Sequence, residues 1–292
     1  MSGYSRSKLW GWFFIIPQLV IILLLFLWPA FSTIKQSFFL SDVFGIEDKF
    51  AGLKNFLDLI FEEGYLHAIF VTTVLAVSVT FLTLIIGLFL AVLVNTRVKS
   101  QTFYKSLFLW PYAVAPAIAA VLWRFLCQPS IGWVAQGLGK IGLSFNYLTH
   151  PMQALTVVVL AACWQQFSYN FLFCLVALKA IPKQLLEAAT LDGASDWKQF
   201  WQIILPMLSP TLFFLITMNL IYSFFDTFGI IDVLTSGGPE SSTTTLIYKA
   251  YKDGFWGMDP GSSAAQSVLL MLLVTGLTLM QFRYIEKKVH YQ

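Results

Sequence analysis

Six stretches of this chain run long without a charged side chain: Leu9–Ile34, Ala68–Val94, Ser106–Trp123, Pro151–Leu178, Gln199–Phe225 and Pro260–Phe282. Each reaches or exceeds the ~18 apolar residues that carry a helix across hydrocarbon. Between them the charges gather in short polar segments. Only helices fit, because lipid leaves the edge of an open sheet unsatisfied. The pattern predicts an all-α, polytopic membrane protein of six transmembrane helices, at about 9–34, 68–94, 106–125, 152–178, 206–229 and 262–283. The whole chain, 1–292, reads as one membrane domain. Phe125–Gly139 is also free of charge, but it holds Gln128, Pro129 and Gly132 and reads as an interfacial re-entry.

Breaker residues refine this outline. Pro111 and Pro116 in the third span predict a kink that frees carbonyls for neighbours or water. The small residues Ala113, Ala115, Ala117, Ala119 and Ala120 beside them allow close helix packing, so the segment is either a packing seam or a moving hinge. The outer loop after the first span contains FAGLKNFLDL, which predicts a short helix on the membrane surface. Gly237, Gly238 and Pro239 predict a tight turn after the fifth span.

Composition agrees with a membrane protein. Of 292 residues, 58% are hydrophobic and 11% charged, and the mean hydropathy is +0.73. A soluble domain carries about 25% charged residues. One set of segments holds Arg6, Lys8, Arg97, Lys99, Lys105, Lys179, Lys183, Lys198, Arg283, Lys287 and Lys288. The other holds Lys35, Lys49, Lys54, Arg124, Lys140, Lys249 and Lys252. The richer set faces the cytoplasm, and both termini with it. The net charge of +3 forms a girdle beside the spans and implies no nucleic-acid partner. The N-terminal apolar run is too long for a cleavable signal, and no small-residue cleavage site follows it. Cys127, Cys163 and Cys174 lie in or beside apolar segments without metal-ligand spacing, and read as buried small hydrophobes.

No catalytic constellation is present. His67, His150 and His290 are far apart, and no HExxH, GxSxG or paired-carboxylate pattern occurs. GLGK at Gly137–Lys140 lacks both the following Ser or Thr and the earlier glycine of a phosphate loop. The chain therefore has no nucleotide site, cofactor or metal of its own. Uphill transport would need another subunit as its energy source.

One stretch breaks the apolar pattern: LEAATLDGASDWKQFWQIILP, Leu186 to Pro206. Pro182 suits the first turn of a helix and Gly193 its stop. Ser195 can cap a second helix, with Asp196 in its first turn. That helix runs through Trp197, Phe200, Trp201 and Ile204. The result is helix, glycine corner, helix, between the fourth and fifth spans on the cytoplasmic side. Leu185, Ala188, Ala189 and Leu191 give the first helix an apolar face, with Lys183, Glu187 and Thr190 on another. Periodicity alone leaves two readings: a surface loop anchored by Trp197 and Trp201, or a docking elbow.

The full pattern decides between them. Glu187-Ala188-Ala189, three residues, Gly193, nine residues, Ile203, one residue and Leu205-Pro206 resembles the EAA signature of importer permeases in the ATP-binding-cassette class. LWPYAVAPAIAAVLWRFL, YNFLF, FFDTF, TSGGP, TTTLIYK, SSAAQSVLLM and QFRYIEKKVHYQ extend the likeness to the maltose and glycerol-phosphate branch over nearly the whole chain. The resemblance implies that Glu187, Ala188, Ala189, Asp192, Gly193 and Ala194 couple to an ATPase. Glu187 would meet a basic residue of that subunit, the alanines would allow close docking, and Gly193 would set the corner. It implies a second homologous permease, two ATPase subunits and an extracytoplasmic solute-binding protein as partners, within membrane lipid. The implied solute is sn-glycerol 3-phosphate or a related glycerophosphodiester, or else a disaccharide or other sugar.

Polar residues inside spans are costly and are candidate solute contacts. In related permeases the solute sits between the fourth and fifth spans. Gln165, Tyr169 and Asn170 would form one wall, and Tyr222, Ser223 and Asp226 the other. Each is either a solute contact or an interhelical hydrogen bond. Asp226 would repel a phosphate, so it would either accept from solute hydroxyls or cap its helix near the outer surface. Arg124 either attracts an anion or snorkels. A stand-alone secondary transporter would need ionisable residues deep in the spans, where this chain has almost none. An intramembrane enzyme would need the missing catalytic residues.

Overall fold

The computed structural model describes residues 3–41, 48–97 and 101–284. Lys99, Lys287 and Lys288 of the basic girdle lie outside the described residues, as does His290, and the side chains of Arg6, Lys8 and Arg97 are likewise not described. The chain begins with α1 (Gly3–Ile22) and α2 (Trp28–Gln36), joined by a widened, π-helical turn at Leu23–Leu27. Two short antiparallel strands follow, β1 (Phe39–Ser41) and β2 (Asp48–Phe50), with Phe39 opposite Phe50. Next come α3 (Lys54–Phe61), α4 (Glu63–Arg97) and α5 (Gln101–Leu109). A 3-10 turn at Trp110–Ala113 leads to α6 (Pro116–Cys127), then α7 (Trp133–Lys140) and α8 (Pro151–Ala180). The elbow comprises α9 (Lys183–Leu191), α10 (Asp196–Gln199), a π-helical turn at Phe200–Ile204 and α11 (Leu205–Met207). After it come α12 (Ser209–Ile221), a π-helical turn at Tyr222–Asp226 and α13 (Phe228–Leu234). The chain ends with α14 (Leu246–Tyr251), another such turn at Lys252–Trp256, and α15 (Pro260–Tyr284).

Four helices are long and apolar enough to cross a membrane unbroken: Phe13–Gln36, Glu63–Thr96, Pro151–Ala180 and Pro260–Arg283. Two further candidates are bent pairs, so the described residues hold four to six spans. The third predicted span is Thr102–Ala113 plus Pro116–Cys127, turned by 97°. This is far more than a kink. Pro116 has no N–H to continue the ladder, and proline pushes the residue before it out of the helical region. Ala115 accordingly is extended, at φ −60° and ψ 141°. The fifth is Asp196–Met207 plus Ser209–Asp226, bent by 66° just before Pro210. At eight residues, α7 is too short to span.

The least apolar of the four unbroken candidates is the most buried. In α8, 67% of the most apolar window is buried, against 28% in the more apolar α4. Lipid accepts only apolar surface, whereas a helix sheltered by other helices can carry polar groups if they pair. Hence α8 is the polar post of its part of the molecule. It packs against α5, α6, α12 and α13.

Backbone contacts divide the chain into two compact units. The larger comprises Leu66–Tyr248 and Leu272–Gln292. Its core gathers Ala91, Val94, Phe171, Cys174, Leu175, Leu178, Leu208 and Leu215. The smaller comprises Met1–Tyr65 and Lys249–Met271. There Asn55 Nδ2 donates to Ser37 O and Phe39 O, both at 2.9 Å, pinning α3 to the strands. Lys249 Nζ donates to Glu62 Oε1 at 2.7 Å and to Asp253 Oδ2 at 2.8 Å. Burial opposes the Lys249 charge, but these bonds outweigh it and hold its pKa above the usual lysine value.

Candidate functional site

The elbow takes the form its residues dictate. Pro182 precedes α9, one residue earlier than expected, and its carbonyl accepts from Leu185 N at 3.2 Å. Gly193 turns the corner at φ +79°, a left-handed conformation that glycine adopts without penalty. Ala194 N closes the turn on Ala189 O at 2.9 Å. Ser195 caps α10, its Oγ accepting from Lys198 N at 3.4 Å.

One part of the expected apolar face is corrected. Leu185 is 43% exposed and Leu191 89%, and Ala188 is also exposed. The inward side is Leu186, which packs on the core, together with partly buried Ala189 and Ala194. The helix is rotated by about one position, with Leu186 packed on the core cluster that includes Leu178 and Leu208. Leu185 and Leu191 are thereby left outward, alongside Glu187, Asp192 and the exposed Trp197.

Sequence reasoning missed Gln199. Its Nε2 donates to Thr190 Oγ1 and to Ala194 O, both at 3.0 Å. This buried amide fastens the second limb of the elbow to the first, making the corner a rigid piece. A Gln nine residues beyond a Thr has no local signature, since the corner between them sets the distance.

A second feature lies deeper in the larger unit. A cavity of about 260 Å³ is lined by Tyr112, Pro116, Gln165, Gln166, Tyr169, Met218, Ile221, Tyr222 and Asp226. Four of the six predicted solute contacts, Gln165, Tyr169, Tyr222 and Asp226, meet there. The other two do not. Asn170 is fully buried: its Nδ2 donates to Asn219 Oδ1 at 3.0 Å, and Asn219 Nδ2 donates back to Asn170 Oδ1 at 2.8 Å. Gln166 Nε2 adds a third bond to Asn219 Oδ1 at 3.2 Å. Ser223 Oγ returns to its own helix, donating to Asn219 O at 2.7 Å. Asn170 therefore joins α8 to the fifth segment, while Ser223 bonds within its own segment.

The walls come from three places. Tyr112 and Pro116 flank the 97° bend, which swings them towards α8. The Tyr112 and Tyr169 rings lie 5.7 Å apart, giving the cavity an aromatic side. The turn at Tyr222–Asp226 presents Tyr222 and Asp226 together, and such π-helical turns recur at functional sites. Asp226 has no hydrogen-bond partner among the described residues, and no Lys or Arg lines the cavity. Arg124 is elsewhere: its Nη1 donates to Val233 O at 3.3 Å, in the last turn of α13, where a cation complements the helix dipole. Cys127, Cys163 and Cys174 are all buried. Among the described residues no cluster of His, Cys, Asp and Glu is placed to hold a metal.

In the larger unit a polar helix, α8, is followed by an elbow that carries the EAA-like pattern, as expected of an importer permease. Comparison with known proteins agrees. The family described as binding-protein-dependent transport system inner membrane component matches residues 12–291, and the chain belongs to that family. It is thus a multi-pass inner-membrane transport component. Its sequence is 49% identical over 290 residues to the sn-glycerol-3-phosphate transport system permease protein UgpA of Yersinia pestis, covering 99% of this chain and 98% of that one. The protein of the same name from Brucella abortus is 47% identical over 285 residues, covering 98% and 97%. Among solved structures, a bacterial ABC transporter involved in the import of alginate aligns with a TM-score of 0.82 at 22% identity, over 96% of this chain and 97% of that one. The MetNI methionine ABC transporter aligns with a TM-score of 0.58 at 16% identity, over 81% of this chain and 99% of that one. At these identities the two structures speak for the fold.

Proposed function

We propose that this chain is the permease subunit of an ATP-binding-cassette importer that carries sn-glycerol 3-phosphate, or a related glycerophosphodiester, across the inner membrane. The observation that carries this reading is the 49% identity to a permease of that name over almost the full length of both chains. The chain forms one permease domain of six spans, the two bent pairs each counting as one, with both termini and the elbow on the cytoplasmic side. It pairs with a second, homologous permease. Two ATPase subunits supply the energy, one of them docking on the elbow through Glu187, Ala188, Ala189, Asp192, Gly193 and Ala194. An extracytoplasmic binding protein delivers the solute.

The cavity suits the hydroxylated end of such a solute. Its polar groups are amide, phenol and carboxylate, all able to bond hydroxyls. An anion is not served by Asp226, so phosphate recognition falls to the binding protein or the partner permease. In proteoliposomes holding the whole complex, labelled glycerol 3-phosphate should accumulate with ATP and binding protein, and an excess of disaccharide should not compete. Accumulation of a disaccharide instead would overturn the solute assignment.

A further inference from the structure

Both polar atoms of the Gln165 carboxamide are hydrogen-bonded. Its Nε2 donates to Val114 O at 2.6 Å, and its Oε1 accepts from the Tyr222 hydroxyl at 3.2 Å. Val114 is extended, at φ −82° and ψ 128°, and lies in the 97° bend, so its carbonyl has left the helical ladder. A freed carbonyl away from water needs a donor. Gln165 is that donor, and it is only 4% exposed. One side chain on α8 thus ties the bend of the third segment to the π-helical turn of the fifth. The same side chain lines the cavity.

We propose that Gln165 is a latch opened by the solute: a hydroxyl entering the cavity replaces the internal partners of this carboxamide and releases the bend at Val114. The chemistry selects the solute class. A hydroxyl both donates and accepts, so it can take the place of the Tyr222 hydroxyl at Oε1 and of Val114 O at Nε2. A phosphate is mostly ionised at neutral pH and acts mainly as an acceptor, so it serves the Nε2 side, and it would approach the Asp226 carboxylate. At about 260 Å³ the cavity falls just below the ~300 Å³ at which pockets for drug-sized ligands begin, which suits a small polyol. Solute loading and the position of the bend are then one equilibrium, as any ligand that binds one of two states must make them.

The inference rests on the reading of this chain as an ATP-driven permease. The test is ATP hydrolysis by the complete complex in proteoliposomes, with and without solute-loaded binding protein. If the wild-type complex shows no solute-stimulated hydrolysis, the permease reading fails before the latch is tested. With a responsive wild type, Tyr222→Phe removes one oxygen and leaves the ring, and Gln165→Met keeps length without hydrogen bonds. Both should raise solute-free hydrolysis, by roughly fivefold for one lost hydrogen bond, and shrink the stimulation ratio. Mere structural damage would lower hydrolysis in both conditions, and that result would overturn the latch. The unmodified complex gives an independent arm: high glycerol without binding protein should raise hydrolysis, and an equal concentration of betaine, which offers no hydroxyl, should not. Equal effects of the two, or none, would overturn the competition by hydroxyls.

Discussion

Asn170 and Asn219 exchange hydrogen bonds in both directions, at 3.0 and 2.8 Å, with neither side chain reaching solvent. This reciprocal amide pair joins α8 to α12 beside the cavity. Removing one partner strands the other, at a cost of about 1–3 kcal/mol. Asn219→Leu should therefore lower the thermal midpoint in detergent clearly. The double variant with Asn170→Leu should be milder than the sum of the singles, by roughly 0.6–1.7 kcal/mol. Additive effects would mean that the pair carries no coupling.

Gly87 on α4 seals the same junction from behind. A Cβ at this position would lie 2.6 Å from Asn170 Cβ and 2.8 Å from Phe171 N, where backbone has to move. Gly87→Ala should push α4 off α8 and destabilise by about 1–3 kcal/mol, the usual cost of overpacking. Wild-type thermal stability in that variant would contradict the close approach.

At the elbow, Gly193 has φ +79° and nothing within 4 Å of an added Cβ, so conformation alone decides which residues it tolerates. Gly193→Val should cost about 1–2 kcal/mol locally and weaken coupling. Gly193→Asn, more at ease in the left-handed region, should be milder. Gly193→Pro and Glu187→Lys should uncouple hydrolysis from uptake while the chain still inserts. Leu191→Asp should reduce co-purification with the ATPase subunit. Normal coupling in all of these would remove the elbow from the mechanism.

Much of this elbow was legible in the sequence, because caps and corners are local. Gly193, lacking a Cβ, and the side chains of Ser195 and Asp196 act within one turn. The inward face was not legible: whether Leu185 or Leu186 turns inward depends on how α9 meets a core cluster drawn from α4, α8 and the fifth segment. The cavity was half legible. Polar residues in a span mark either a pairing or a lining role, and Gln165 and Asn170 look alike until the helices are packed. Tyr112 gave no signal, since only the sharpness of the Pro116 bend brings it to the cavity. The π-helical turn that presents Tyr222 beside Asp226 has no sequence signature.

Lys249 offers a test of the smaller unit. Its pKa is held above the lysine value by Asp253 and Glu62, against the opposing effect of burial. Stabilisation from this charge is complete below the unfolded pKa, about 10.4, and is lost as pH rises through the higher folded value. Lys249→Met should cost about 1–2 kcal/mol at neutral pH, less than a fully buried pair because Glu62 is 45% exposed. The gap between wild type and variant should stay constant from pH 7 to about 9 and narrow above about 10.4. A gap that narrows on acidification within the neutral range would assign the effect to another group.

Uptake into sealed vesicles addresses the central claim most directly. Vesicles containing the two permeases and their ATPase subunits, supplied with ATP and binding protein, should accumulate labelled glycerol 3-phosphate. Vesicles containing this chain alone should accumulate none under any ion gradient. Concentrative uptake by the chain alone, or full uptake by a complex whose ATPase cannot hydrolyse ATP, would contradict it.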